Sequence, residues 1–170
     1  VVIPVLLTIS DKNALKKIFK TSGIHTIYHA AAYKHVPIVE ENIVQASINN
    51  IVGTLYLTET AIKYEVETFV LISSDKAVRP TNYMGATKRI AELIIQMKSN
   101  LSHSTKFATV RFGNVLGSSG SVVPLFKKQL DFGGPLLITH KDIIRYFMTP
   151  QEAAQLVIQA GSLSSKCNIF

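Results

Sequence analysis

The sequence predicts an α/β fold built on a mostly parallel sheet, and three observations lead there. Apolar, β-branched runs of strand length, Phe69–Ile72 the clearest, recur along the chain and read as buried strands. Segments with helical periodicity lie between them, the alternation that builds parallel sheets. Polar residues gather directly after a strand, at Ser73, Ser74, Asp75 and Lys76, and in such folds ligands bind past the carboxyl ends of strands. The 170 residues suit one domain, and an apolar content of 47% suffices for a real core.

Val1–Ile9 is apolar and β-branched and reads as a strand, with Pro4 arguing for an edge or an irregular start. Ser10 can cap a short helix over Asp11–Lys20, whose Leu15, Ile18 and Phe19 share a face and which Ser22-Gly23 closes. His25–Ala30 is the second strand and runs into the small residues Ala30, Ala31 and Ala32. A long helix follows from about Glu40 to Tyr64, with Ile43, Ile48, Ile51, Leu55 and Leu57 as apolar positions. The third strand, Thr68–Ile72, precedes a helix over Tyr83–Ser99. Lys106–Phe112 is the fourth strand, and the Gly113–Gly120 loop leads to a helix over Val122–Phe132. Leu136–Thr139 reads as a short strand. Thr149, Pro150 and Glu152 form a capping box for a last helix, Gln151–Gly161, and Asn168–Phe170 as a final strand.

The bulk numbers exclude several classes. The net charge of +7 comes from scattered Lys and Arg, with only short pairs such as Lys16-Lys17 and Lys127-Lys128. Nucleic-acid binding is therefore not expected, and an anionic small-molecule substrate suits the excess. The single cysteine, Cys167, excludes an internal disulfide or a Cys-based metal cluster, suits a reducing compartment, and reads as a small apolar filler. His29, His103 and His140 are dispersed, without carboxylates or Cys at ligand spacing, so no metal site is expected. No apolar run approaches the roughly 20 residues that span a bilayer, and no signal peptide is present, so the chain reads as soluble. It begins inside an apolar run without an initiating Met, which reads as a piece of a longer protein.

Residues 69–91 carry the densest chemistry. On a helix, positions four apart lie about 40° from each other and positions five apart about 140°. Met84 thus shares a face with Lys88, and Tyr83 does not. Lys88 reads either as a cofactor-holding lysine or as a solvated helix lysine. The Ser73–Lys76 run reads either as an acid/base cluster or as a capped strand end with a surface ion pair.

Six segments occur in order: His29–Pro37, Asn49–Thr54, Ser73–Ala77, Asn82–Arg89, Arg111–Pro124 and Ile144–Thr149. Through them the chain, from about Asp11 onward, resembles the bacterial UDP-N-acetylglucosamine 4,6-dehydratases. These form the capsule and O-antigen polysaccharide-biosynthesis branch of the extended short-chain dehydrogenases. The resemblance implies a Rossmann-like sheet, NAD as cofactor (NADP left open) and a UDP-sugar substrate. In short-chain dehydrogenases a Tyr four residues before the Lys moves the proton, and the Lys holds the nicotinamide ribose. Met84 stands at that Tyr position and cannot move a proton, a trait of the C5-retaining, membrane-anchored members. Lys88 keeps its cofactor role.

The family reaction takes hydride from C4, removes the C5 proton, expels the C6 hydroxyl as water and returns hydride to C6. By resemblance Asp75 is the acid at the C6 oxygen and Lys76 the base at C5. Each needs a pKa shifted toward neutrality by burial and by its neighbour. Ser74 matches the residue that hydrogen-bonds the sugar 4-hydroxyl. With Met84 mute, Asp75, directly or through Ser74 or water, is expected to take the 4-hydroxyl proton. Ala30, Ala31 and Ala32 would let the cofactor approach the backbone closely. Asn50 either ties its helix to the active-site strand beside the cofactor or is an ordinary helix amide. Lys34 and His35 either reach cofactor or sugar or are structural. Asn114 would touch the substrate diphosphate or backbone. Val122, Val123 and Pro124 match the uracil-side wall, although an amphipathic helix start predicts the same residues. Arg145 can hold the UDP phosphates bidentately.

The sequence also departs from the family pattern. A dinucleotide fold opens with a strand, a Gly-x-x-Gly-x-x-Gly loop and a helix whose N-terminus holds the phosphates. No such motif occurs; Gly113, Gly117 and Gly120 belong to the substrate loop. The chain starts near the family's third strand, so a gap is expected between its first two strands where the central strand belongs. Thr8 replaces an Asp that contacts the adenine. The expected organisation is one partial NAD-binding Rossmann-like domain over residues 1–170, lacking the first strand–Gly-rich loop–helix unit, with substrate-binding elements at about 114–149. The expected function is the 4,6-dehydratase reaction for surface-glycan synthesis. A UDP-sugar 4-epimerase and an inactive, truncated nucleotide-sugar-binding fragment are the alternatives. The parent is expected in the cytoplasm or at the cytoplasmic face of the inner membrane, anchored by a segment absent here, and as a homo-oligomer.

Overall fold

The computed structural model of the chain describes residues 1–102, 104–118, 120, 122–138 and 140–170. Helix α1 (Lys12–Ser22) leads into strand β1 (Thr26–His29). Short helices α2 (Val36–Glu41) and α3 (Ile43–Ser47) follow, and α3 runs through a π-helical stretch, Ile48–Gly53, into α4 (Thr54–Lys63). Next come β2 (Thr68–Ile72), a 3-10 turn at Asp75–Ala77, α5 (Tyr83–Ser99), β3 (Lys106–Val110) and β4 (Asn114–Val115). The chain continues through α6 (Val122–Asp131), β5 (Phe147–Met148), α7 (Pro150–Leu163) and β6 (Cys167–Ile169).

β1, β2, β3 and β6 form a parallel sheet in that order, with Tyr28 opposite Val70 and Val70 opposite Ala108. Side chains alternate across a strand, so each face of the sheet has its own cover. Phe69, Leu71 and Phe107 pack with Leu15, Phe19, Leu57, Ala61, Ala91 and Ile95 of α1, α4 and α5. Val70, Ala108 and Val110 pack with Ala160 of α7 on the other face. Both faces being dry, the strands can be apolar throughout, which is how Phe69–Ile72 first reads.

The helix ends follow local chemistry. Asp11, rather than Ser10, caps α1: its Oδ1 accepts from the Asn13 and Ala14 amides at 3.0 Å each. A carboxylate one residue nearer the helix reaches both orphan amides, and Gly23 ends the helix in the left-handed region at φ 50°. The Thr149–Glu152 capping box forms, with Pro150 at the first helical position.

Three expected elements differ. Residues 1–8 form no regular structure, and Val1, Val2, Ile3, Val5 and Leu6 are exposed. They pair with no described strand, so the expected strand does not form. β1 therefore stands at the edge of the sheet beside β2, and the gap expected between Val1–Ile9 and β1 has no first strand to bound it. Leu136–Ile138 is not a strand, and Thr139 lies outside the described residues, as does His103. The long helix expected from Glu40 is broken at Asn42 and carries the π-helical stretch. Among the described residues no helix is long and apolar enough to cross a membrane.

Candidate active site

The end of β2 is fixed to β3 beyond the formal strand: the Ser73 amide donates to the Val110 carbonyl at 2.7 Å and the Asp75 amide to the Phe112 carbonyl at 3.2 Å. This places Ser74, Asp75 and Lys76 on the rim at the carboxyl end of the sheet. Ser74 caps the 3-10 turn by accepting from the Lys76 amide at 3.2 Å. Its hydroxyl donates to Asp75 Oδ1 at 2.9 Å, and Lys76 Nζ donates to the same oxygen at 3.0 Å. Asp75 Oδ2 has no protein partner among the described residues and lies on the side of Gly113, where an added Cβ would stand 3.9 Å from it. The Asp75 side chain is 53% exposed, so the cluster is open to a ligand.

The pKa shift expected for Asp75 is reversed. Partial burial pushes its carboxyl up, but the hydrogen bonds from Lys76 and Ser74 and the Lys76 charge outweigh it and hold the group below its ordinary value. Asp75 is a carboxylate at neutral pH, ready to accept a proton before it can give one.

Helix α5 opens against this rim because Asn82 caps it, its Oδ1 accepting from the Gly85 amide at 2.8 Å. Gly85 is required there: a Cβ would collide with the Lys76 carbonyl. Met84, Lys88 and Glu92, spaced by four, form one buried stripe. Met84 is 3% exposed and packs with Val39 and Ala46. Tyr83 packs against the same small cluster, its hydroxyl hydrogen-bonded to Ser47 Oγ at 2.8 Å. Lys88 is buried, and its Nζ donates to the Ile72 carbonyl at 2.8 Å. Burial lowers its pKa to about 8, against an opposing pull from Glu92. Lys88 is thus not the solvated lysine that one reading allowed.

Two features escaped the sequence reading. Glu92, 0% exposed, accepts from Ser73 Oγ at 2.6 Å, Arg111 Nε at 2.8 Å, Arg111 Nη2 at 2.6 Å and Arg89 Nη1 at 2.9 Å. Burial pushes its carboxyl up, but these donors, Arg111 first, hold it below the ordinary carboxylate range. The signals were present: Glu92 continues the stripe of Met84 and Lys88, while Ser73 and Arg111 continue the α5-facing alternation of β2 and β3. His29, at the end of β1, is the second. Thr54 gives its hydroxyl proton to the Asn50 carbonyl at 2.7 Å, so at 2.8 Å it accepts from His29 Nε2. Among the described residues His29 Nδ1 is left as a buried acceptor without a partner. Burial, and then the Lys88 charge, lower this imidazole to about 4 and keep it neutral.

Asn50 is buried and wholly engaged. Its Oδ1 accepts from the Tyr33 amide at 2.8 Å and Asn49 Nδ2 at 3.0 Å, and its Nδ2 donates to the Tyr33 carbonyl and Thr87 Oγ1 at 3.0 Å each. It ties the loop after β1 to α5 and leaves no atom free for a ligand. In that loop Ala30 and Ala31 are exposed, Ala32 is half-buried, and Lys34 is exposed. The His35 ring presses against Gly120 so closely that a Cβ there would collide with it, which brings the Gly113–Gly120 loop over the β1 loop. The β4–β5 ribbon carries the opposite wall, pairing Asn114 with Phe147. It sets exposed Arg145 one residue from Tyr146, whose carbonyl accepts from the Asn114 amide at 3.2 Å. Val122 and Val123 are half-buried and Pro124 exposed at the start of α6. The structure therefore brings Ser74, Asp75, Lys76, Asn114 and Gly113 to one rim, with Lys88 beneath it.

The whole chain, residues 1–170, matches the family described as "Polysaccharide biosynthesis protein". It is 49% identical over 168 residues to the capsular polysaccharide biosynthesis protein CapD of Staphylococcus aureus, covering 99% of this chain and 28% of that protein. It is 54% identical over 162 residues to the probable polysaccharide biosynthesis protein EpsC of Bacillus subtilis, covering 95% and 27%. A UDP-glucose 4-epimerase of Rickettsia rickettsii is 35% identical over 150 residues, covering 87% and 44%. Among solved structures, Pen from Bacillus thuringiensis superposes with a TM-score of 0.89 at 36% identity, covering 95% of this chain and 50% of that one. The dTDP-glucose 4,6-dehydratase DesIV of Streptomyces venezuelae, solved with NAD bound, shares the fold with a TM-score of 0.85 at 21% identity, covering 96% and 56%. The chain spans half or less of the curated relatives it matches. On a Rossmann-like sheet of the extended short-chain dehydrogenase type, with a carboxylate, an amine and hydroxyls gathered on one rim, this chain belongs to the polysaccharide biosynthesis protein family.

Proposed function

We propose that this chain carries the catalytic and substrate-binding part of a UDP-N-acetylglucosamine 4,6-dehydratase that serves surface-glycan synthesis. The observation that carries the reading is the Asp75–Lys76 pair, joined at 3.0 Å on an open rim, above a buried Met84 that can exchange no proton. An elimination needs an acid and a base beyond those of simple alcohol oxidation, and this pair supplies both. One partial domain over residues 1–170, with substrate elements at about 114–149, is the organisation that goes with it.

The residues present suit a nicotinamide cofactor, NAD in the first instance. Exposed methyl groups past β1 leave room for a flat ligand, and buried Lys88 has donor capacity beyond its bond to Ile72. Lys88 would hold the nicotinamide ribose, while Ala30, Ala31 and Ala32 would lie against the cofactor. When bound, the cofactor supplies a hydride acceptor for C4 and the hydride returned at C6.

The chain's own groups handle the protons. Asp75 Oδ2 accepts the proton of the 4-hydroxyl, which Ser74 orients, and so becomes the acid its resting state is not. It passes that proton to the C6 oxygen, which leaves as water while the C5–H electrons form the double bond. Lys76, once its own proton has passed to solvent, is the neutral amine that takes the C5 proton and later returns it to the same face. Asn114 and Arg145 bind the diphosphate, Lys34 lies within the sugar or cofactor reach of the β1 loop, and Val122, Val123 and Pro124 line the uracil side.

The test is incubation of UDP-N-acetylglucosamine with a full-length protein carrying this sequence, followed by NMR. A 4-keto-6-deoxy sugar with unchanged C5 configuration supports the reading; a C4 epimer refutes it. The second reading, a UDP-sugar 4-epimerase, draws on the 35% identity to a protein of that name. Met84 weighs against it, because that chemistry returns hydride to C4 and relies on one proton-transferring group at this position. A third reading, an inactive nucleotide-sugar-binding fragment, holds for the chain by itself if calorimetric titration finds no binding at millimolar NAD.

A further inference from the structure

Glu92 lies outside every group used above, yet it is the most heavily engaged carboxylate among the described residues. It is fully buried, and four hydrogen bonds from three side chains converge on it. Those donors come from three elements. Ser73 is the residue before Ser74, Arg111 follows β3, and Arg89 lies one turn earlier on α5. Glu92 itself follows Lys88 by one turn. We propose that Glu92 is a positioning residue for this site: one buried carboxylate locks the catalytic end of β2, through Ser73, to Arg111 and to the helix turn that carries Lys88.

The physical argument has two parts. A buried carboxylate is tolerated only when paired and fully hydrogen-bonded, and the fork of Arg111 meets it bidentately, the arrangement with the most directional restraint. Ser73 donates from the strand end to the same oxygen that accepts from Arg111 Nε, so strand and arginine cannot slide independently. Ser73 is also tied by its amide to Val110, which leaves Ser74 and Asp75 projecting from a doubly held residue. The second part is charge. Glu92 on its own helix and His29 from β1 couple to Lys88; Arg111 from β3 stands behind Glu92, and the Asp75–Lys76 pair lies past β2. Glu92 favours its ammonium form and burial opposes it. Exchanging Glu92 or its arginines should therefore move the titration of Lys88 in opposite directions, which a bolt that only holds the fold together would not do.

This inference rests on the site assignment proposed above but not on the product formed. The experiment measures nicotinamide reduction by the nucleotide sugar, the C4 step common to dehydratase and epimerase, as a function of pH in the full-length protein. Glu92→Gln is expected to move the alkaline limb to lower pH, and Arg111→Gln to move it to higher pH. Ser73→Ala is expected to lower kcat by roughly 10-fold with KM little changed, and Ser73→Thr to restore it. If Glu92→Gln fails to fold, Arg89→Gln at the half-exposed arm takes its place, with the same direction as Arg111→Gln. The titration of Lys88 is followed in parallel by NMR of isotope-labelled lysine without substrate, so an inactive protein still reports. Limbs and titrations that stay in place, or move together, while only Tm falls would overturn the proposal. A C4-epimerised product would instead refute the dehydratase reading and leave this result standing.

Discussion

Replacing Asn50 by alanine removes the residue that joins the β1 loop to helix α5. Three of its bonds cross between elements, two to the Tyr33 backbone and one to Thr87 Oγ1. Each intramolecular bond contributes about 0.5–1.5 kcal/mol net, and burial leaves a small cavity in place of the amide. Thr87 keeps its bond to the Met84 carbonyl and so loses little. Exposed Tyr33 can regain water at its backbone. The loss then lies at about 2–4 kcal/mol, read as a shift in the urea midpoint followed by circular dichroism. Hydrogen exchange supplies the local signature: the Tyr33 amide should lose its protection while the Val70 amide in the sheet keeps its own relative to global unfolding. A destabilisation below about 1 kcal/mol, or a Tyr33 amide that was never protected, would refute the assignment of Asn50 as the tie between loop and helix.

Other outcomes follow from the same structure. Lys88→Met should stabilise the fold at neutral pH, because a folded pKa of about 8 lies below the ordinary lysine value of 10.5 and the unfolded chain binds the extra proton. The advantage over wild type should shrink as pH rises from about 8 to 10.5, and a gap that widens would invert the sign of the burial argument. Gly85→Ala should cost about 1–3 kcal/mol, because the new methyl meets the Lys76 backbone, and should depress the reaction rate more than a control Ala substitution at exposed Leu93. Thr149→Ala should lose about 1 kcal/mol by removing the cap of α7, and Thr149→Ser should recover most of it, as thermal melts will show.

Where one segment settles its own structure, the sequence could be read residue by residue. β2 and α5 have the bounds their patterns predict, because a run dry on both faces and a helix capped by Asn82 need no distant partner to be recognised. The capping box at Thr149 is equally local. Val1–Ile9 fails for the converse reason: a strand exists only with a neighbour to bond, and pattern alone does not supply one. Within the site, spacing puts Met84 and Lys88 on one face of α5, whereas the roles of Asp75 and Lys76 come from the resemblance and the burial of Lys88 from the fold. The direction of the Asp75 shift does not follow from spacing, since it depends on two donors meeting one oxygen. Glu92 was missed because a helical glutamate is ordinarily solvated, and only the crossing of three elements makes this one interior.

The π-helical stretch at Ile48–Gly53 has a consequence for how the protein can change its length. Such a stretch holds one residue more than a regular helix would use over the same span. Deleting that residue would give a smoother helix and would swing everything on one side of it by about 100°. The Asn50 amide would then point away from Tyr33 and Thr87, and Gly53 would lose its seat against Ile9. A chimera that imports this helix from another fold must therefore carry the surplus residue with it. Matching the two by counting turns would place every side chain before the junction on the wrong meridian.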